Sequence, residues 1–305
     1  MSERKYFSRI GWVYAVYILV TIGAQFGIGA LIAQFQDILP MWIYDGNMLL
    51  LLSQAVMYVI AFPVFALMMR RIPPCRMTEP KAIEFKRFLV LLVVCFGAVY
   101  IGNMVGTGLM KFVEILTGTK NINPVDDLLG EMNLAAVGLT TVIIAPVMEE
   151  LMFRKYLVDR LVPYGQKTAV VMSGLAFALF HGNFYQFFYA AVLGMIFAYI
   201  YSSTGKLQYT IILHMIINFV GGVLVLILSR GIDRGISAAY TLSTFLGIFC
   251  LVSIIAAVVL TCVYFRRLSW FKGWEETERG VILTVLTAPG MWAFMAAGIL
   301  LFLLG

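Results

Sequence analysis

Nine apolar runs fill this chain, near 11 to 35, 48 to 69, 88 to 109, 134 to 162, 169 to 180, 184 to 201, 207 to 228, 239 to 265 and 281 to 304, divided by short charged or turn-forming stretches. An α-helix needs about 20 apolar residues to cross the hydrocarbon core of a bilayer, and most of the runs reach that length. Within hydrocarbon each spanning segment must satisfy its own backbone N–H and C=O groups, which for single runs of this kind means helix. The fold class is therefore all-α, a polytopic transmembrane helical bundle of eight to nine spans. The run 169 to 180 is the shortest and can instead form a buried helical hairpin with 184 to 201. Run 11 to 35 is too long for the apolar part of a signal peptide and reads as a retained first span.

Composition supports this and excludes other classes. Hydrophobic residues make up 62% and charged residues 12% of the 305 residues, against roughly 45–50% apolar in soluble domains. A soluble enzyme, a disordered chain, a collagenous repeat and a disulfide-stapled scaffold are set aside. The basic residues fall in short clusters between runs rather than along one face, so no nucleic-acid partner is expected. Cys75, Cys95, Cys250 and Cys262 show neither CxxC spacing nor pairing within a loop, and read as small apolar residues.

The cations set a topology. With the N-terminus inside, 18 of the 22 Lys and Arg fall on inner segments, and Lys111, Lys120, Arg230 and Arg234 face out. That asymmetry predicts a cell-membrane, multi-pass protein with a cytoplasmic N-terminus and, with nine spans, an external C-terminus. Small residues four apart, Gly102 and Gly106, Gly174 and Ala178, Gly194 and Ala198, predict close helix contacts.

The chemistry lies in Pro146-Val-Met-Glu149-Glu150-Leu-Met-Phe-Arg154-Lys155. An ionised side chain at mid-bilayer costs about 2.5–3.5 kcal/mol on insertion scales, so something must offset each one. Glu150 and Arg154 stand four apart on one helix face and can neutralise each other. Glu149 points about 100° away and finds Met152 and Phe153 where a cation would have to be. An intramembrane carboxylate without a partner is a functional candidate. The chain holds two histidines, both in or at the edge of apolar runs: His181 closes Phe177-Ala-Leu-Phe-His181, and His214 opens His214-Met-Ile-Ile-Asn218. For Glu149, His181 and His214 to share one depth, the inner half of the fourth run, with Arg154, Lys155, Asp159 and Arg160, is expected to line a wet cavity.

EExxxR at Glu149 to Arg154, FxxxH at Phe177 to His181 and HxxxN at His214 to Asn218, in that order on successive helices, resemble the CAAX protease and bacteriocin-processing (Abi) family of intramembrane endopeptidases, which includes the type II CAAX prenyl endopeptidases. Ser203-Thr-Gly205-Lys-Leu207 precedes the last motif. The resemblance implies a four-helix catalytic core at 131–228, flanked by N-terminal transmembrane helices at 1–130 without a readable motif and C-terminal ones at 229–305. It implies peptide-bond hydrolysis of a membrane-associated protein or peptide, with the bilayer as the other partner. Glu149 would be the general base, His181 would help hold the water, and His214 and Asn218 would donate to the oxyanion. Glu150, Arg154 and Phe177 would orient the site. No cofactor is expected; the alternative is a zinc ion held by Glu149, His181 and His214, although the HExxH helix that presents two histidines one turn apart is absent. Two other classes compete: a non-catalytic bacteriocin-immunity protein, and a proton-coupled transporter, for which no inverted repeat is found.

Overall fold

Every apolar run becomes helix. The structure, a computed structural model, describes residues 2–75, 80–121, 123, 132–264, 266, 268–275 and 280–304. In chain order the helices are α1 (Glu3–Gln34), α2 (Gly46–Met69), α3 (Phe85–Thr117), α4 (Leu134–Tyr164), α5 (Gln166–Phe180), α6 (Phe184–Thr204), α7 (Leu207–Asp233), α8 (Ser237–Tyr264), α9 (Val281–Leu286) and α10 (Pro289–Leu304). No strand occurs among the described residues. The protein is a membrane-integral helical bundle.

Seven helices, α1 to α4 and α6 to α8, are long and apolar enough to cross a bilayer. The other two expected spans are shorter. Helix α5 has 15 residues. The last run, 281 to 304, is broken before Pro289, and its second part is a 16-residue helix. Proline lacks the N–H that a continuing helix would use and its ring crowds the preceding turn, so it starts α10 instead of extending α9. The domain boundary placed at 130/131 and the cations Arg76, Arg267 and Arg279 lie outside the described residues.

Short polar side chains and glycine set the helix ends next to the site. Asp45 caps α2 by accepting from Asn47 N at 2.9 Å, and Asn183 caps α6 by accepting from Gln186 N at 3.0 Å. Gly205, at φ +66°, ends α6 in the left-handed region that residues with a Cβ avoid. The glycines four apart act as expected. A Cβ on Gly102 would run into the Tyr189 backbone, and one on Gly106 into the Phe184 carbonyl, so α3 lies hard against α6. Gly174 and Gly194 bring α5 equally close to α6, a Cβ on Gly194 standing 3.0 Å from the Gly174 Cα.

The largest buried cluster joins α1, α2, α4, α5 and α10 through Tyr14, Phe65, Phe153, Phe177 and Phe294. Tyr14 meets Phe65 and Phe294 with ring centroids 5.1 and 5.5 Å apart. Its hydroxyl donates to the Met152 carbonyl at 2.7 Å, tying α1 to α4.

Helix α4 changes pitch twice. It widens to π turns at Gly138–Ile144 and at Leu151–Val158, and the ordinary α-helical stretch between them, Ala145–Glu150, carries the two glutamates. π turns are rare and frequent at functional sites. Here the widened stretches offer carbonyls to side chains: Thr141 O accepts from Asn218, Met152 O from Tyr14, and Phe153 O from Ser173.

The expectation that the inner half of this helix lines a wet cavity is overturned for both arginines. Arg154 is fully buried and Arg160 is 3% exposed. Arg160 donates to the carbonyls of Met69 and Ile72 at 2.9 Å each, and so closes the C-terminal end of α2, where carbonyls lack helical partners. Lys155 alone of the three is exposed, and it pairs with Asp159 at 2.8 Å. The charges of the two arginines are offset by protein groups.

Candidate active site

The two glutamates point to different helices. Glu150 turns toward α7 and toward its own Arg154, and no part of either side chain is exposed. Arg154 Nη2 donates to Glu150 Oε1 at 3.0 Å, while Nε stands 2.9 Å from Oε2, an ion-pair contact with the N–H angled away from a hydrogen bond. Nη1 donates to Ser173 Oγ on α5 at 3.1 Å, and Ser173 Oγ donates to the Phe153 carbonyl at 2.9 Å. The guanidinium carbon lies 4.9 Å from the Phe177 ring centre and 5.6 Å from that of Phe197. Removing an ion pair from water is costly unless its remaining hydrogen-bonding groups are satisfied; here a hydroxyl and two aromatic faces offset part of that cost, while Glu150 Oε2 and Arg154 Nε have only each other.

His214 sits between the two carboxylates. Its Nδ1 is 3.2 Å from Glu150 Oε1, and its Nε2 is 3.7 Å from Glu149 Oε2. Glu150, ionised against Arg154, can only accept, so Nδ1 carries a proton and donates. Nε2 then faces Glu149. The 3.7 Å gap to Glu149 is longer than a hydrogen bond and leaves Nε2 turned toward the site.

His181, half-buried at the end of α5, makes a 2.8 Å bond between Nδ1 and the Phe177 carbonyl. A carbonyl cannot donate, so Nδ1 holds the proton and Nε2 keeps a lone pair. Phe177 packs edge-on against both histidines, at 4.7 Å from His181 and 5.7 Å from His214.

Glu149 and His181 line one cavity with about 60 Å³ of room for water centres. Its remaining lining is Tyr17 of α1, Met57 and Tyr58 of α2, and Met152, Phe153, Phe177 and Phe180. The structure thus brings Glu149, Glu150, Arg154, Phe177, His181 and His214 together. Asn218 stands one turn beyond His214 and donates Nδ2 to the Thr141 carbonyl at 2.8 Å, bridging α7 to the first widened stretch of α4. Among the described residues no group of three or more His, Cys, Asp or Glu side chains gathers so as to hold a metal ion, the trio Glu149, His181 and His214 included.

Sequence reasoning missed Tyr17, Tyr58 and Ser173. Tyr17 and Tyr58 lie outside the motif-bearing segment. Ser173 looked like one more small residue beside Gly174. The available signal for Ser173 was that it is the one polar side chain of its run, 169 to 180; Tyr17 and Tyr58 share their runs with other polar residues and carried no such signal.

The family model described as type II CAAX prenyl endopeptidase Rce1-like matches residues 131–220, the segment that carries all three motifs. A relative from Lactococcus lactis subsp. lactis (strain IL1403), UPF0177 protein YxdF, is 26% identical over 140 residues, which cover 46% of this chain and 77% of that protein. No solved structure matches the chain significantly. Over residues 131–220, then, this chain is similar to the Rce1-like type II CAAX prenyl endopeptidases, a membrane-protease family.

Proposed function

We propose that the protein is an intramembrane endopeptidase that hydrolyses a peptide bond of a membrane-associated protein or peptide, with Glu149 as the general base and without a metal. One observation carries this reading: Glu149 and His181, from two helices, face one cavity with room for a few waters, and His214 stands 3.7 Å from Glu149. Glu149 takes a proton from a water whose other hydrogen is accepted by His181 Nε2. The water oxygen forms a bond to the scissile carbonyl carbon, and the carbonyl π pair moves onto its oxygen. His214 Nε2–H and the second amide N–H of Asn218 donate to that oxyanion. Collapse breaks the C–N bond, and Glu149 returns its proton to the leaving amine. Glu150 and Arg154 keep His214 in its donating orientation. Segment 131–228 acts as the catalytic core, and the cation distribution supports a cytoplasmic N-terminus.

Purified protein in lipid vesicles is expected to cleave membrane-associated peptides, and Glu149→Gln is expected to stop it. Comparison of membrane peptides from cells with and without the protein would name the substrate. Cleavage that survives Glu149→Gln would overturn the assignment of the base. Stoichiometric zinc in active protein, with activity lost to a strong chelator and restored by zinc, would overturn metal independence. An inactive protein that binds a peptide, or one that moves protons, would return the case to the immunity or transport readings.

A further inference from the structure

Buried polar atoms without a protein partner concentrate on one seam. Seven such side-chain atoms occur among the described residues; two of them, Glu150 Oε2 and Arg154 Nε, face each other as an ion pair. Of the remaining five, four belong to α1 and α2: Tyr17 Oη, Thr21 Oγ1, Gln54 Oε1 and Tyr58 Oη. Tyr17 and Thr21 lie one turn apart and adjoin without reaching hydrogen-bond geometry. Inside a bilayer, where no bulk water can serve these groups, leaving them unpaired is unfavourable, and the cheapest remedy would be an apolar side chain. Tyr17 and Tyr58 retain hydroxyls where phenylalanine would fill the same space.

Both rings line the cavity of Glu149 and His181. About 10–15 Å³ of room for water centres is enough for one water, so the 60 Å³ present there suits a few. The hydrogen-bond inventory of the lining is unbalanced without the tyrosines. Glu149, as a base, only accepts. His181 directs its Nδ1–H at Phe177 O, so its other nitrogen also only accepts. A water shared by these two gives away both hydrogens, and its oxygen then needs donors. Among the side chains that line the cavity, the tyrosine hydroxyls are the groups with O–H to give.

We propose that Tyr17 and Tyr58, from two helices outside the family match, are the hydrogen-bond donors that hold the attacking water between Glu149 and His181. The proposal rests on Glu149 being the base. No bond to either tyrosine is made or broken. As the water oxygen bonds to the carbonyl carbon, the lone pair used in attack must be released, and the tyrosine that held it is free to donate to the oxygen that gains charge. The other hydroxyl keeps its bond to the attacking oxygen, so the pair act by holding that oxygen in position for attack.

The test uses full-length protein in lipid vesicles, as wild type, Tyr17→Phe, Tyr58→Phe and the double variant. The infrared carboxyl and carboxylate bands of Glu149, assigned by their absence in Glu149→Gln, are expected to shift in the Phe variants. The kcat is expected to fall about tenfold or more in each, at unchanged KM, with an unfolding midpoint equal to or above that of wild type. Bands that do not move in any variant would overturn the proposal, as would a kcat within twofold of wild type in the double variant. The infrared arm does not need turnover: a wild type that cleaves nothing would refute the endopeptidase reading, while shifted or unshifted bands would still decide whether the tyrosines bind Glu149's water.

Discussion

Glu149 and Glu150 are neighbours on one turn of α4 and have opposite surroundings. Around Glu150 the charges are paired: Arg154, His214 Nδ1 and Ser173 form a chain of contacts enclosed by Phe177 and Phe197. Around Glu149 they are not: the side chain is 23% exposed, looks into a cavity, and has His214 beyond hydrogen-bond distance. A buried network whose charges are closely paired has few ways to rearrange and so fixes geometry. An unsaturated one in the same low-dielectric interior keeps capacity to bind a reactant and to exchange a proton. The site uses both, one to hold His214 in place and the other to act.

The largest effects should come from breaking this division directly. Glu149→Gln keeps the shape and removes the base, so cleavage is expected to fall by about 10²–10⁴-fold with no loss of folded stability. Glu150→Gln is expected to do the reverse in emphasis. It strands a fully buried guanidinium, at a cost of about 3–5 kcal/mol, which purification yield and thermal unfolding in detergent would report. Adding Arg154→Met to Glu150→Gln removes the stranded charge and should recover much of the stability without recovering activity, since His214 has still lost its orienting carboxylate. Equal behaviour of the two glutamine variants in both measurements would break the comparison.

A smaller effect is expected at Asn218, which belongs to both sides. Its amide already gives one N–H to the Thr141 carbonyl, and the proposed reaction uses the other. Asn218→Ala should cost about 1 kcal/mol of stability through the unpaired carbonyl and lower kcat by about 10²-fold, as for loss of one oxyanion donor. A variant that loses stability but keeps kcat would leave Asn218 as a brace between α7 and α4.

How much of the molecule is legible in its sequence depends on the range of the interactions. The helices are legible because an apolar run states its own fate locally. So is the Glu150–Arg154 pair, because four-residue spacing puts both on one helix face, and so are the close approaches at Gly102, Gly106, Gly174 and Gly194. The hidden part is held between helices. The cavity expected around Arg154 and Arg160 failed because spacing along α4 does not tell that Met69 and Ile72, at and just past the end of α2, turn their carbonyls to Arg160. Nor does spacing announce the two widened stretches that turn Thr141, Met152 and Phe153 carbonyls toward other helices. The break before Pro289 is visible as a residue, yet the apolar run around it is continuous and its composition alone favours one span.

The smallest expected effect is also the sharpest discrimination, because it compares two hydroxyls that differ only in whether they are matched. Ser173 Oγ, fully buried, accepts from Arg154 and donates to Phe153 O. Ser173→Ala therefore leaves one N–H of a buried cation and one carbonyl unpaired, and should cost about 1–2 kcal/mol. Tyr58→Phe removes a hydroxyl that has no protein partner, so the same loss of one oxygen should leave stability unchanged or raise it. Thermal unfolding of the two variants side by side, in one detergent and at one pH, gives the sign of each change. If both fall by similar amounts, the Tyr58 hydroxyl is bound to something that supports the fold, and the contrast between a matched and an unmatched side of α4 fails.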